Sequence, residues 1–263
     1  MILDEIADFT RKRVENDINN ISREKMREAA EGFNSKLPAF AFENALKKQD
    51  INFICEVKKA SPSKGIIAEE FPYMDIAMEY EKAGAACISC LTEPKYFKGL
   101  DSYLSEIKNV VNIPVLRKDF TVDEYMIYQA KTLNADCVLL ICSLLDEKTL
   151  VKYIDICDNL GLSALVEAHD EDEIKMAVSA GARIIGVNNR DLKTFTVDIH
   201  NSERLRRLVP EDILFVAESG IKTAEDIQVL REANVNGVLV GETLMRSSDK
   251  KKMLDELRGK DTE

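Results

Sequence analysis

The stretch Leu162-Ser-Ala-Leu-Val-Glu-Ala-His169, read on to Val187, decides the fold. It opens with an apolar run, Leu162 to Val166, passes through a segment of helical periodicity that ends at Gly181, and returns to a second apolar run, Arg183 to Val187. Gly181 stands where a helix wants a left-handed C-cap, and a crossover of this length lets the second strand lie parallel to the first. The same alternation extends in both directions. Upstream lie the runs Asn52 to Val57, Ala86 to Leu91, Ile113 to Leu116 and Asp136 to Ile141, and downstream lie Ile213 to Ala217 and Gly237 to Val240. Their starts are roughly 20 to 35 residues apart, the length that a strand, a helix and two short loops consume. Gly84 and Gly161 close helical stretches as Gly181 does, while Thr121-Val-Asp-Glu124 and Thr223-Ala-Glu-Asp226 put a hydroxyl ahead of first-turn acids, predicting N-caps at Thr121 and Thr223. Eight strands buried on both faces, each followed by a helix, predict an α/β chain folded as a (β/α)8 TIM barrel. A doubly wound open sheet has the same pattern and is the alternative.

Residues 1–50 precede the first strand and read as a helical N-terminal extension, with Ile2, Ile6, Phe9, Val14, Ile18 and Ile21 on an intermittent apolar face. The extension either caps the barrel, borders its mouth or serves packing alone. The expectation for residues 1–263 is a single barrel domain, monofunctional, and a monomer or weak homo-oligomer.

Composition removes several classes of function. With 36 Lys and Arg against 47 Asp and Glu the net charge is −11, which argues against a nucleic-acid partner, since phosphate contacts need a basic face. The longest apolar stretch, Cys137 to Cys142, is far shorter than the ~18 residues of a membrane span. The first residues carry Asp4 and Glu5 where a secretory signal would carry base, so a cytoplasmic location and no membrane partner are expected. The six cysteines read as small core residues. The pair Cys87 and Cys90 is a CxxC spacing, but in a strand residues three apart point to opposite faces, and the sequence's two histidines cannot complete a multi-His metal centre. No metal is expected.

The charges at the strand ends are informative because side chains alternate with period two. Glu56 and Lys58 share a face with Asn52 and Ile54; Lys118 follows Leu116 in phase, and Glu167 follows Leu165. Asn188 and Arg190 continue the face of Ile184 and Gly186, and Glu218 that of Leu214 and Val216. In a parallel barrel all C-terminal strand ends open on one mouth, so Lys58, Lys118 and Arg190 should converge with Glu56, Glu167 and Glu218. Placing six charges in a partly desolvated pocket costs several kcal/mol per ion unless partners compensate, about what a binding site justifies and a salt-bridged lid does not need. Ser219-Gly220 after the seventh strand and Gly241-Glu242 after the eighth lie where this fold commonly binds phosphate through loop amides. The loop Ala60-Ser-Pro-Ser-Lys-Gly65 has the composition of a segment that closes over substrate, or of a simple turn.

Six of these segments together resemble the indole-3-glycerol phosphate synthase family of tryptophan biosynthesis. They are Glu56-Val-Lys-Lys-Ala-Ser-Pro-Ser-Lys-Gly65, Leu116-Arg-Lys-Asp-Phe120, Leu165-Val-Glu-Ala-His169, Gly186-Val-Asn-Asn-Arg-Asp191, Val216-Ala-Glu-Ser-Gly220 and Val240-Gly-Glu-Thr-Leu-Met245. They run in order from the first strand to the last, and the helical leader also matches. The resemblance implies a small-molecule substrate, 1-(2-carboxyphenylamino)-1-deoxyribulose 5-phosphate, closed to an indole with loss of carbon dioxide and water, and no cofactor. It implies Lys118 as general acid, Glu167 as acid/base for the later proton transfers, and Lys58 as a contact to carboxylate or phosphate or a donor to the leaving hydroxyl. Glu56 would hold Lys118 and keep it protonated. Asn188, Arg190 and Glu218 would orient the ring and sugar hydroxyls, with Ser61 and Ser219 as further donors and Arg190 equally able to act as structural support. Lys58, Ser219, Gly220, Gly241 and Glu242 would hold the phosphate. Glu242 departs from the small hydroxyl residue of many members, so its backbone amide rather than its side chain is expected to contribute. A Schiff-base aldolase, a phosphosugar isomerase and a non-catalytic sugar-phosphate sensor are the competing readings of the same residues.

Overall fold

The computed structural model describes residues 2–191 and 196–260. Eight parallel strands close into a barrel: β1 (Asn52–Val57), β2 (Cys87–Leu91), β3 (Val115–Lys118), β4 (Cys137–Ile141), β5 (Ser163–Ala168), β6 (Ile184–Asn188), β7 (Leu214–Glu218) and β8 (Gly237–Val240). Each strand pairs with the next in sequence, and β8 returns to β1 with Asn52 opposite Gly237 and Cys55 opposite Val240. Closure leaves none of these eight strands as an edge strand, and it excludes the open sheet.

The alternation read from the sequence sorts the side chains as expected. Ile54, Cys87, Leu116, Leu139, Leu165, Ile184, Val216 and Leu239 fill the barrel interior, while Phe53, Cys55, Ile88, Cys90, Val166, Ile185 and Phe215 pack outward against the helices. Cys87 and Cys90 fall on opposite faces, and all six cysteines are buried with free thiols.

Several boundaries shift by one or two residues from the sequence reading, and two of the shifts have a local cause. β3 begins at Val115 rather than Ile113 because Pro114 has no N–H to donate, although its carbonyl still accepts from the Ile88 amide at 2.9 Å. The helix expected to be capped by Thr121 starts at Tyr125, and it is the Asp123 carboxylate that accepts the Tyr125 amide, at 2.8 Å; Thr121 is buried instead. Thr223 does cap its helix, Ala224–Glu232, in a reciprocal box with Asp226.

The leader forms three helices, α1 (Ile2–Asn20), α2 (Arg23–Glu31) and α3 (Ala41–Ala45), and it serves both ends of the barrel. Phe42 and the following Leu46 are fully buried among the interior residues, beneath the strands. The Glu43 amide donates to Ser163 Oγ at the start of β5, and Arg183, just before β6, donates to the Glu43 carboxylate at 2.8 Å. These contacts lie at strand beginnings, so α3 plugs the bottom, where burying each large apolar side chain contributes roughly 1.5–3 kcal/mol. α1 lies at the other end: Leu3 and Ile6 reach the mouth, and Arg13 donates to Asp119, the residue after β3, at 2.8 Å. Among the described residues no helix is long and apolar enough to cross a membrane.

Candidate active site

The charged residues are not appended to the strands but belong to them. β5, β6 and β7 run one or two residues further than their apolar runs, so the ladder pairs Glu167 with Ile141 and Gly186, and Glu218 with Asn188 and Leu239. β3 likewise carries Lys118 opposite Leu91. A side chain held by a closed ladder is placed more accurately than one on a loop. The residues flanking Lys118 tie it down further. Arg117, which points outward, donates to the Met126 carbonyl, Asp101 and Gln129, and Asp119 accepts from Thr92 Oγ1 and Arg13.

These strand ends surround a cavity of about 550 Å³, within the ~300–1,000 Å³ common for small-molecule sites. The catalytic candidates Glu56, Lys58, Lys118 and Glu167 line it, as do Ser61, Asn188, Arg190 and Glu218. So do the four residues of the expected phosphate end, Ser219, Gly220, Gly241 and Glu242.

At the centre Lys118 Nζ lies 3.2 Å from Glu167 Oε2 and 3.1 Å from Glu218 Oε2. Asn188 Nδ2 donates to the other oxygen of Glu167 at 3.4 Å. Burial works against the Lys118 charge, but Glu218, Glu167 and Glu56 outweigh it and hold the ammonium well above its ordinary pKa. The two carboxylates diverge. Burial raises Glu218 to about 7, with Lys118 only partly offsetting it. Glu167, although equally buried, is held well below the carboxylate range by Lys118 and His169.

Glu56 helps by its charge to keep Lys118 protonated, as expected, but it does not hold Lys118 by direct contact. It is ion-paired with Lys58, and the direct hold on Lys118 falls to Glu167 and Glu218. The reason is geometric: Glu56 and Lys58 are two apart on one strand and share its inner face, so they meet before either reaches across the barrel.

Two glycines form the floor. A Cβ at Gly186 would lie 2.4 Å from Glu218 Oε1, and one at Gly241 would lie 2.2 Å from Glu56 Oε2 and 2.9 Å from Lys58 Nζ. The sequence signal was present, a glycine in phase with charges on the neighbouring strands, but it does not say which carboxylate rests on which glycine.

At the expected phosphate end, Ser219 and Gly220 both have positive φ, 68° and 86°, which turns the chain sharply after β7. The loop after β1 is a hairpin, Ala60–Ser61 against Gly65–Ile66, that brings Ser61 and Lys64 to the mouth. Lys64 Nζ is 3.5 Å from Glu242 Oε1, and Arg246 donates to the same oxygen at 3.1 Å. The Glu242 carboxylate is thus neutralised from two sides, which removes much of its repulsion for a bound anion. Arg190 also faces the cavity, with its amide donating to Asn188 Oδ1 at 3.1 Å.

Sequence reasoning passed over His169, Lys64 and the apolar wall of Ile2, Leu3, Ile6, Phe97 and Phe120. His169, Lys64 and Phe120 stood inside quoted motifs and Ile2 and Ile6 on the apolar face of the leader, but nothing local marked Leu3 or Phe97. Among the described residues no group of three His, Cys, Asp or Glu side chains is placed to hold a metal ion.

A family model described as indole-3-glycerol phosphate synthase matches residues 3–257. The chain belongs to the indole-3-glycerol phosphate synthase family. It is an enzyme of the carbon–carbon carboxy-lyase class, in amino-acid biosynthesis. It is 60% identical over 259 residues to the indole-3-glycerol phosphate synthase of Ruminiclostridium cellulolyticum, covering 98% of this chain and 99% of the relative. It is 53% identical over 259 residues to that of Endomicrobium trichonymphae, covering 98% and 100%. Among solved structures, 3-hexulose-6-phosphate synthase from Salmonella typhimurium superposes with TM-score 0.65 at 12% identity, over 80% of this chain and 97% of that one. Thiamine phosphate pyrophosphorylase from Pyrococcus furiosus gives 0.61 at 16% identity, over 83% and 96%. These two likenesses concern the barrel fold alone.

Proposed function

We propose that this indole-3-glycerol phosphate synthase family chain closes 1-(2-carboxyphenylamino)-1-deoxyribulose 5-phosphate to indole-3-glycerol phosphate by lysine and glutamate acid/base chemistry. The observation that carries the reading is the Lys118 ammonium, 3.1–3.2 Å from two carboxylates of opposite pKa tendency at the mouth of an anion-sized cavity. The ring carbon bearing the carboxylate attacks the sugar ketone, forming a carbon–carbon bond while the carbonyl electron pair moves to oxygen. Lys118, kept protonated by its neighbours, donates the proton that this alkoxide needs. Carbon dioxide then leaves with its bonding pair returned to the ring, restoring aromaticity. The new hydroxyl departs as water as a proton is removed from the carbon beside nitrogen. Glu167, held ionised, accepts that proton, and Lys58 either protonates the departing hydroxyl or binds substrate carboxylate or phosphate.

Glu56 positions Lys58, while Glu218 and Asn188 orient Lys118, Glu167 and the sugar hydroxyls. The apolar wall from α1, Phe97 and Phe120 suits an aromatic ring. Ser61, Ser219, Gly220, Gly241 and the Glu242 amide receive the phosphate, with Arg190 beside the substrate. A strongly raised Lys118 is a poor Schiff-base nucleophile, since that chemistry needs the neutral amine, which argues against the aldolase reading. The test is incubation with the carboxyphenylamino sugar phosphate. Indole fluorescence should appear with one carbon dioxide per indole. Absence of both, or an adduct trapped by borohydride, overturns the reading.

A further inference from the structure

Lys118 is nearly equidistant from Glu167 and Glu218, so Lys118 alone does not decide which carboxylate accepts a proton. The asymmetry lies behind them. Glu218 Oε1 is buried over Gly186 with no hydrogen-bond partner. Glu167 Oε1 has His169 Nε2 at 3.3 Å, on the side away from the cavity; the approach is oblique, a charge contact rather than an aligned hydrogen bond. The other imidazole nitrogen, Nδ1, is 3.0 Å from Glu173 Oε2, and the same oxygen accepts the His169 amide at 2.8 Å. A side chain sandwiched between two carboxylates gains from carrying a positive charge.

We propose that His169, clamped by Glu173, is a positioning residue that stays protonated and thereby makes Glu167, not Glu218, the ionised member of the pair on Lys118. The inference rests on the reading above that Glu167 takes the substrate proton, and it extends that reading to a residue that does not line the cavity.

Groups from several surrounding elements face the pair. Glu167 faces Lys118 from β3, Asn188 from β6 and, through Lys118, Glu218 from β7 and Glu56 from β1. None of these distinguishes it from Glu218 by a second cation. His169 faces Glu167 and Glu173, with Asp170 next in sequence, the Cys142 thiol donating to the Glu173 carbonyl at 3.7 Å and Asn201 donating only to the His169 carbonyl at 3.5 Å. No cation opposes the imidazolium among these neighbours. Burial works against the charge, but the two carboxylates raise His169 to about 10.

The first test needs no activity. The sequence has two histidines, and His200→Gln leaves His169 as the sole imidazole in a ¹⁵N spectrum of the ligand-free chain. Both ring nitrogens should report imidazolium at pH 7; a neutral ring there overturns the proposal. The second test is kinetic. An opposite charge at this range shifts a carboxyl by ~1–3 pH units, so His169→Gln should move the acid limb of kcat upward by about one unit or more, with KM at pH 8 within twofold of wild type. Glu173→Gln keeps the histidine and should move the limb the same way by less. A loss of kcat equal at every pH in both variants, or an unmoved acid limb, overturns it. If the wild-type chain does not turn over the sugar phosphate, the functional reading fails while the nitrogen spectrum still decides His169.

Discussion

Replacing Gly186 by alanine would place a methyl group 2.4 Å from Glu218 Oε1 and 3.2 Å from Leu165 Cδ1. The leucine can yield a few tenths of an ångström. The carboxylate must retreat by roughly 1 Å to reach ordinary contact, a displacement that can cost ~10²-fold when it misplaces reacting groups. Glu218 sits 3.1 Å from Lys118 Nζ, so the retreat breaks a charge-assisted contact of ~1.5–3 kcal/mol. At ~1.4 kcal/mol per decade, kcat/KM should fall ~10- to 100-fold. The fold should survive, because Gly186 has no left-handed φ and one added methyl in a strand is backbone-compatible. Steady-state assays by indole fluorescence, with calorimetry as the folding control, measure both. A double-mutant cycle isolates the cause: in a Glu218→Ala background the clash is gone, and Gly186→Ala should cost less than twofold. A kcat/KM within twofold of wild type for Gly186→Ala alone, or the same loss in both backgrounds, refutes the geometry argued here.

Lys118→Ala should lower kcat by ~10²–10⁴ with KM little changed, since a general acid acts on the transition state; near-normal turnover in stopped assays removes it from that role. Glu218→Gln should stabilise the fold more at pH 8 than at pH 5. Its folded pKa of about 7 lies above the unfolded ~4.3, so the stability that this group contributes is present below pH 4 and lost as pH rises through 7; an equal Tm difference at both pH values contradicts this. All six cysteines are buried, and burial pushes Cys55 and Cys142 up to about 12, so a disulfide reagent should label none of the six in the native protein within minutes and all six in denaturant. Rapid native labelling of Cys87 or Cys90 would show that the barrel wall opens.

Much of the site was legible because a barrel converts parity into position. Lys118, Glu167, Asn188 and Glu218 could be named from period-two alternation, since an inward residue on one parallel strand meets inward residues on all the others. Glu56 and Lys58 were legible as residues of the mouth but not as each other's partner, because parity gives a face and not a side-chain distance. His169 was missed because it follows Glu167 by two yet lies beyond the end of β5, where strand alternation no longer decides where a side chain points. Lys64 and Glu242 are far apart in sequence, and their contact depends on how the hairpin folds across the mouth.

From the linear pattern alone come the eight parallel strands, the helical crossovers, the opposed faces of Cys87 and Cys90, and the set of charges at the mouth. These depend on local periodicity and on the single handed way in which such units close. Tertiary structure alone decided that Lys118 is shared between Glu167 and Glu218, that Gly186 and Gly241 make room for carboxylates, that α3 plugs the bottom while α1 walls the top, and that His169 stands behind one glutamate and not the other. Coulomb energies and steric contacts change over fractions of an ångström between residues distant in the chain, and no local rule of sequence carries information at that scale.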